Sequence, residues 1–139
     1  MSSLEHLIIA SELDPDETTA HVRWFLGDLA DDLFLHVSRL AAGARPGCPI
    51  AAWAGRSLSN GSFYIVPLGA DRFGPIDGVA LDPTPVLSAD AAGLCLTLRA
   101  LRVLACDRNN AAAQTLYRRV HEYACQHPER SAISRAGAL

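Results

Sequence analysis

Leu58-Ser59-Asn60-Gly61-Ser62-Phe63-Tyr64-Ile65-Val66-Pro67 is the stretch on which the fold turns. Asn-Gly is a strong signal for a tight turn, because both residues tolerate positive φ. Phe63, Tyr64, Ile65 and Val66 are aromatic or β-branched and suit a pleated surface. Pro67 brings no amide donor and closes the run. Upstream, Ile50-Ala51-Ala52-Trp53-Ala54 can supply the other arm. The pattern predicts two short antiparallel strands meeting near Asn60-Gly61, at the centre of a small sheet. Strand alternation sets Phe63 and Ile65 on one face and Tyr64 and Val66 on the other. Helices on both faces would bury all four.

Before the hairpin, Leu7-Ile8-Ile9-Ala10 reads as a short first strand. Asp14-Pro15-Asp16-Glu17 then reads as a helix start, with Asp14 as cap, Pro15 in the first position and acids at the positive end of the helix dipole. This helix carries Val22, Phe25 and Leu26 and ends at Gly27. A longer helix follows from Gly27-Asp28. In it Leu29, Leu33, Phe34, Val37, Leu40 and Ala41 recur at spacings of three and four, opposite Asp28, Asp31, Asp32 and Arg39. Gly43 ends it. Ala44 to Pro49 connects to the hairpin.

Beyond Pro67 a turn-rich segment, Leu68 to Pro75, leads to short strands expected around Ile76 to Leu81 and at Val86-Leu87. Pro83 and Pro85 confine the second of these to an edge. Ser88 caps a helix with Asp90 in its first turn, and Leu94, Cys95, Leu98, Leu101, Val103, Leu104 and Ala105 make it apolar on most sides. Such a helix belongs in the middle of the protein. A further helix, about Asn110 to Gln126, has a stripe of Ala113, Leu116, Tyr117, Val120, Tyr123 and Ala124, and His127-Pro128 breaks it. The element order predicts an α+β fold, a small antiparallel sheet packed against about four helices, in a single domain spanning residues 1–139.

A chain of 139 residues, half of them hydrophobic and 19% charged, has the composition of one globular domain. No apolar run approaches the roughly 18 residues that cross a bilayer, so no membrane partner is expected. The N-terminus lacks the basic start of a signal peptide, which points to the cytoplasm. Cys48, Cys95, Cys106 and Cys125 form no Cys-x-x-Cys pair, and the last three sit in apolar helical surroundings as small hydrophobes. The five histidines share no metal-ligand spacing. The chain has no Gly-x-Ser-x-Gly elbow and no phosphate-binding glycine loop. Ser57 and Ser59 beside the turn have no base indicated near them. The expectation is therefore no catalytic residue, no metal and no cofactor.

Net charge is −3, and its distribution says more than its total. Between Glu12 and Asp32 stand seven acids against Arg23 alone, and from Arg99 onward seven arginines face three acids. Asp28, Asp31 and Asp32 fall within about one helical turn and are the candidate partner-facing residues. Arg99, Arg102, Arg108, Arg118 and Arg119 could meet phosphates, but an acidic chain is poorly suited to nucleic acid. Seven acids are too few for an extended imitation of duplex DNA, with its one charge per about 1.7 Å.

Leu58 to Pro67 also resembles the most recognisable segment of the ArdB/KlcA antirestriction family, a Leu-Ser-Asn-Gly-Gly-Phe-Tyr-Met-Ala-Pro-like run. Trp53, Leu58, Ser59, Asn60, Gly61, Phe63, Tyr64 and Pro67 carry the likeness here. Ser88-Ala89-Asp90-Ala91-Ala92-Gly93 looks like that family's Ser-Ala-Asp-Ala-Ala-Gly helix start, so Ser88, Asp90 and Gly93 join the set. His127-Pro128-Glu129, followed by Ala132-Ile133, looks like its C-terminal end. Two departures mark a divergent member. The family's Gly-Gly-Tyr before the Trp reads Ile50-Ala51-Ala52, and the aromatics after it read Gly55-Arg56. The resemblance implies a non-enzymatic protein that counteracts host type I restriction of incoming plasmid or phage DNA, with a host defence complex as partner and no direct DNA binding. The alternative is an inhibitor of another nuclease-based defence such as CRISPR.

Overall fold

The computed structural model describes residues 7–42, 52–68, 72–73 and 87–135. The α+β expectation holds. Strand β1 is Ala10–Leu13, and helix α1 is Pro15–Leu26. A 3₁₀ turn at Gly27–Leu29 leads into α2, Ala30–Ala42. Strands β2, Ala52–Leu58, and β3, Ser62–Leu68, form the hairpin. Short strands β4, Arg72–Phe73, and β5, Leu87–Ser88, pair with each other, and helices α3, Ala89–Asp107, α4, Ala111–Gln126, and α5, Arg130–Arg135, complete the order. The main sheet is antiparallel in the order β1-β2-β3. Ile50, Ala51, Gly43, the Ala44–Pro49 connection and the strand expected near Ile76 to Leu81 lie outside the described residues.

Local chemistry explains the helix starts. Asp14 and Glu17 form a reciprocal capping box: the Glu17 amide donates to Asp14 Oδ1 at 2.7 Å and the Asp14 amide to Glu17 Oε1 at 3.1 Å. Ser88 and Asn110 cap α3 and α4 in one direction only, their side chains accepting from the amides of Ala91 and Ala113. Gly27 ends α1 at φ 57°, a region glycine enters without steric cost.

The first-strand expectation shifts. The first strand is Ala10–Leu13, not Leu7–Ala10, with Ala10 opposite Leu58 and Leu13 opposite Gly55. Ahead of it one backbone bond remains, from the Ser59 amide to Ile9 O at 2.9 Å, and side chains take the other groups. The Gln126 amide group donates to Ile8 O at 2.7 Å and accepts from the Ile8 amide at 3.1 Å, while the Ile9 amide donates to Ser59 Oγ at 2.8 Å. The hairpin strands meet at Asn60-Gly61 as expected, in a three-residue loop, Ser59-Asn60-Gly61. The Gly61 amide donates to Leu58 O at 3.0 Å, and of the loop residues only Gly61 has positive φ, at 88°.

Helix α3 closes the open edge of the sheet. A bare edge strand leaves unpaired amides and carbonyls that invite other chains. Here the Thr97 hydroxyl lies 3.0 Å from the Ile65 amide and accepts from it. Gly93 permits this approach: a Cβ there would fall 2.4 Å from Ile65 O. With α1 against Phe63 and α3 and α4 beyond, all residues from Ser62 to Pro67 are buried, so the strand is covered on both faces. Twelve residues of α3 are buried, among them Leu94, Cys95, Leu98, Leu101 and Leu104, which makes it the central helix. Against it lie Ala30, Leu33, Val37 and Ala41 of α2 and Ala113, Leu116, Val120 and Ala124 of α4. Cys106 and Cys125, expected as small buried hydrophobes, are exposed, and only Cys95 of the described cysteines is buried. They lie on the outward faces of helices whose inner stripes the leucines, valine and alanines fill.

Candidate functional site

The hairpin register sets Glu12 opposite Arg56 and Arg56 opposite Tyr64, a polar row running across three strands. Directly opposed residues of adjacent strands share a face. The Tyr64 hydroxyl reaches off this row and donates to Asp90 Oδ1 at 2.7 Å. Asp90 sits in the first turn of α3, where the helix dipole favours a carboxylate. Its other oxygen, Oδ2, receives His127 Nε2 at 2.7 Å, and Arg56 Nε lies 3.6 Å from Oδ1. Arg56 Nη2 in turn lies 3.7 Å from Glu12 Oε1.

His127 follows the last residue of α4, where Pro128 turns the chain toward α5. Its Nδ1 accepts the Glu129 amide at 3.0 Å, which leaves Nε2 to carry the proton given to Asp90. Glu129 then grips the start of α3. Its carboxylate accepts the Ser88 amide at 3.1 Å and the Ser88 hydroxyl. Tyr123 stacks on Tyr64 with centroids 5.6 Å apart and meets His127 edge-on at 6.1 Å.

Burial by itself opposes ionisation of Asp90. The hydrogen bonds from His127 and Tyr64, with the Arg56 guanidinium charge, outweigh it and hold the carboxyl below the usual carboxylate range. Burial, followed by the bond to Asp90, drives the Tyr64 phenol far above its ordinary value, so it remains a donor. The arrangement is a fixed anion held by convergent donors from β2, β3 and the α4–α5 link. Its chemistry is positional: it ties four parts of the chain to one atom pair.

All three segments singled out in the sequence meet here, Tyr64 from the hairpin, Ser88 and Asp90 from the helix start, His127 and Glu129 from the C-terminal end. The remaining motif residues hold the surroundings. Asn60 Nδ2 donates to Arg119 O at 2.9 Å and Arg119 Nη1 to Gly61 O at 3.0 Å, bolting the hairpin tip to α4. Ser59 clasps Ile9, Leu58 and Pro67 are buried, and Phe63 lies against Phe25 with centroids 5.6 Å apart. Trp53 lines a separate cleft of about 320 Å³ with Pro15, Thr18, Arg23 and Phe34. Arg56 carried no signal, because in the sequence it registers only as a departure from aromatics. Tyr123 reads as one more core position of a helix.

The three aspartates do not form one uniform face. Asp28 lies in the 3₁₀ turn, exposed and without an ion-pair partner among the described residues. Asp31 pairs with Arg23 at 3.3 Å, both well exposed. Asp32 is half-buried and pairs with Arg108 at 3.2 Å, joining α2 to the end of α3. On α1, Trp24, the most exposed large hydrophobic side chain among the described residues, is 84% accessible. Among the described residues no group of three or more histidine, cysteine, aspartate or glutamate side chains is placed to hold a metal ion. None of the described helices is long and apolar enough to cross a membrane.

A family model described as "Antirestriction protein" matches residues 50–137. Antirestriction protein KlcA of Escherichia coli is 42% identical over 91 residues, covering 62% of this chain and 63% of that protein. Protein YfjX of Escherichia coli K12 is 35% identical over 85 residues, covering 60% of this chain and 55% of that protein. The chain thus spans less than two thirds of the length of the curated relatives it matches. Among solved structures, one of the KlcA and ArdB proteins, described as having a novel fold and antirestriction activity against type I DNA restriction systems in vivo but not in vitro, matches with a TM-score of 0.77. That match is 30% identical and covers 93% of this chain and 94% of the other.

Proposed function

The chain belongs to the antirestriction protein family, and from that premise we propose that it protects incoming plasmid or phage DNA from host type I restriction. It acts as a non-enzymatic inhibitor in the host cytoplasm, with residues 1–139 forming one domain. The target is a host defence complex, met through protein–protein contacts without direct DNA binding. The observation that carries this reading is the convergence of the three family segments on Asp90, within a fold that matches the KlcA and ArdB structure along nearly its whole length. Activity described for that relative in vivo but not in vitro fits inhibition that needs a further host component.

The residues proposed to meet the partner are Asp28, Asp31 and Asp32. Carboxylates suit a basic surface, such as the DNA-binding side of a restriction complex. Trp24 would supply the apolar anchor, since tryptophan is over-represented among residues that dominate interface energetics. The net charge of −3 supports a protein rather than a polyanion as partner.

The test is the plating efficiency of unmodified phage on hosts that carry one defence system each, with and without this gene. Raised plating on the type I host alone is the expected result. Unchanged plating there, or protection only on a CRISPR host, overturns the reading.

A further inference from the structure

Helices α3 and α4 are joined by only three residues, and Asn109 makes the turn between them at φ 48°. Near that end their outer faces part into a groove of about 580 Å³. Arg102, Ala105 and Cys106 line it from α3, and Gln114, Tyr117 and Arg118 from α4. Ala105 is buried and the Tyr117 ring half-buried, which gives the groove an apolar floor. Arg102 and Arg118 are exposed, one on each wall.

These two guanidiniums differ from most others among the described residues. Arg23, Arg56 and Arg108 pair with Asp31, Asp90 and Asp32, and Arg119 donates to a backbone carbonyl. Among the described residues, nothing pairs with Arg102 or Arg118. A concave apolar floor between two unpaired cationic walls is complementary to an apolar side chain flanked by carboxylates. Guanidinium is the side-chain group best matched to a carboxylate, through its fork of parallel donors. A groove of this size lies within the range that takes up small ligands or one or two side chains of a peptide.

We propose that the α3–α4 groove docks an acidic peptide segment of a partner protein. Arg102 and Arg118 bracket two of its carboxylates, and an apolar side chain between them rests on Ala105 and Tyr117. Nucleic acid fits less well. Its affinity grows with the number of phosphates neutralised, and two guanidiniums on a chain of net charge −3 neutralise few. The groove is a different surface from Asp28, Asp31 and Asp32 and stands whether or not they meet the restriction complex.

Cys106 provides the readout, because it is exposed and lines the groove, whereas Cys125 is exposed seven residues beyond Arg118. The probe is a capped pentapeptide with a central leucine and two acidic residues on each side, added at millimolar concentration to the full chain. Alkylation of each cysteine by iodoacetamide is followed by peptide mass spectrometry. The expected result is slowed alkylation of Cys106 and not of Cys125, weakened by added salt. Arg102→Gln/Arg118→Gln should reduce the peptide's apparent affinity at least tenfold, with an unchanged melting temperature because both side chains are exposed. Arg118→Gln alone should give an intermediate loss. The proposal is overturned by no protection of Cys106, by equal protection of Cys125, by equal protection from the Asn/Gln version of the peptide, or by full protection in the variants. Stronger protection by a 20-base-pair duplex than by the peptide would also overturn it, in favour of a phosphate ligand.

Discussion

Gly93→Ala sets two well-understood effects against each other. In an ordinary helix interior the change stabilises by about 1 kcal/mol, since alanine has the higher helix propensity. At this position the new Cβ would lie 2.4 Å from Ile65 O, 2.9 Å from Val66 Cα and 3.2 Å from the Ile65 carbonyl carbon. Those are backbone atoms of a buried strand, and they cannot swing aside as a side-chain tip could. Comfortable carbon contacts begin near 3.5 Å, so α3 must retreat by about 1 Å. Overpacking of this kind costs about 1–3 kcal/mol. The retreat also stretches the bond from the Ile65 amide to Thr97 Oγ1, now 3.0 Å, whose loss costs about a further 1 kcal/mol. The expected net effect is a destabilisation of about 1–3 kcal/mol. For a chain of this size that lowers the melting temperature by roughly 3 to 12 °C. Thermal unfolding followed by far-ultraviolet circular dichroism, wild type beside variant, measures it. An unchanged or raised melting temperature would show that helix propensity dominates and that α3 does not lie hard against the β3 backbone.

Four further outcomes are expected. Asp90→Asn should lower stability at pH 7 by about 1–3 kcal/mol, the loss of charge-assisted bonds from Tyr64 and His127. Because the folded-state pKa of Asp90 is depressed, its contribution is present above the unfolded value near 4 and lost as pH falls through the folded one. Melting temperatures of wild type and Asp90→Asn should therefore converge below about pH 4, and a constant gap down to pH 2 would refute the role assigned to ionised Asp90. Leu98, 1% exposed in the central helix, cannot take a carboxylate, so Leu98→Asp should cost several kcal/mol and abolish cooperative folding in a melting experiment. Asp28→Asn/Asp31→Asn/Asp32→Asn should reduce phage protection on the type I host while stability shifts by no more than about 1 kcal/mol, since the pairs lost are surface ones; full protection at equal expression would leave these carboxylates without a partner role. Burial pushes the Cys95 thiol up to about 12, so in native protein a thiol-specific reagent should modify Cys106 and Cys125 and spare Cys95 until the chain unfolds.

What the sequence determined by itself is what depends on near neighbours. Asp14 with Glu17 makes a capping box because both partners lie within one turn. The leucines and alanines of α3 make a central helix because nearly every face is apolar. The Asn60-Gly61 turn brings β2 and β3 together whatever packs on them, and the three family segments were each legible as wording. Tertiary structure alone decided what those segments are for. Asp90 and His127 stand 37 positions apart, and Tyr64 is 26 from Asp90, so no local rule pairs them. Only the closure of α3 over the β3 edge and the turn at His127-Pro128 bring Tyr64 and His127 to the Asp90 carboxylate. The same holds for the first strand. Leu7 to Ala10 has the better strand composition, yet strand pairing covers Ala10–Leu13, and at Ile8 the Gln126 side chain, 118 residues away, holds both backbone groups. Propensity is written in neighbouring residues, whereas register and hydrogen-bond competition are settled by whichever distant group arrives with the better geometry.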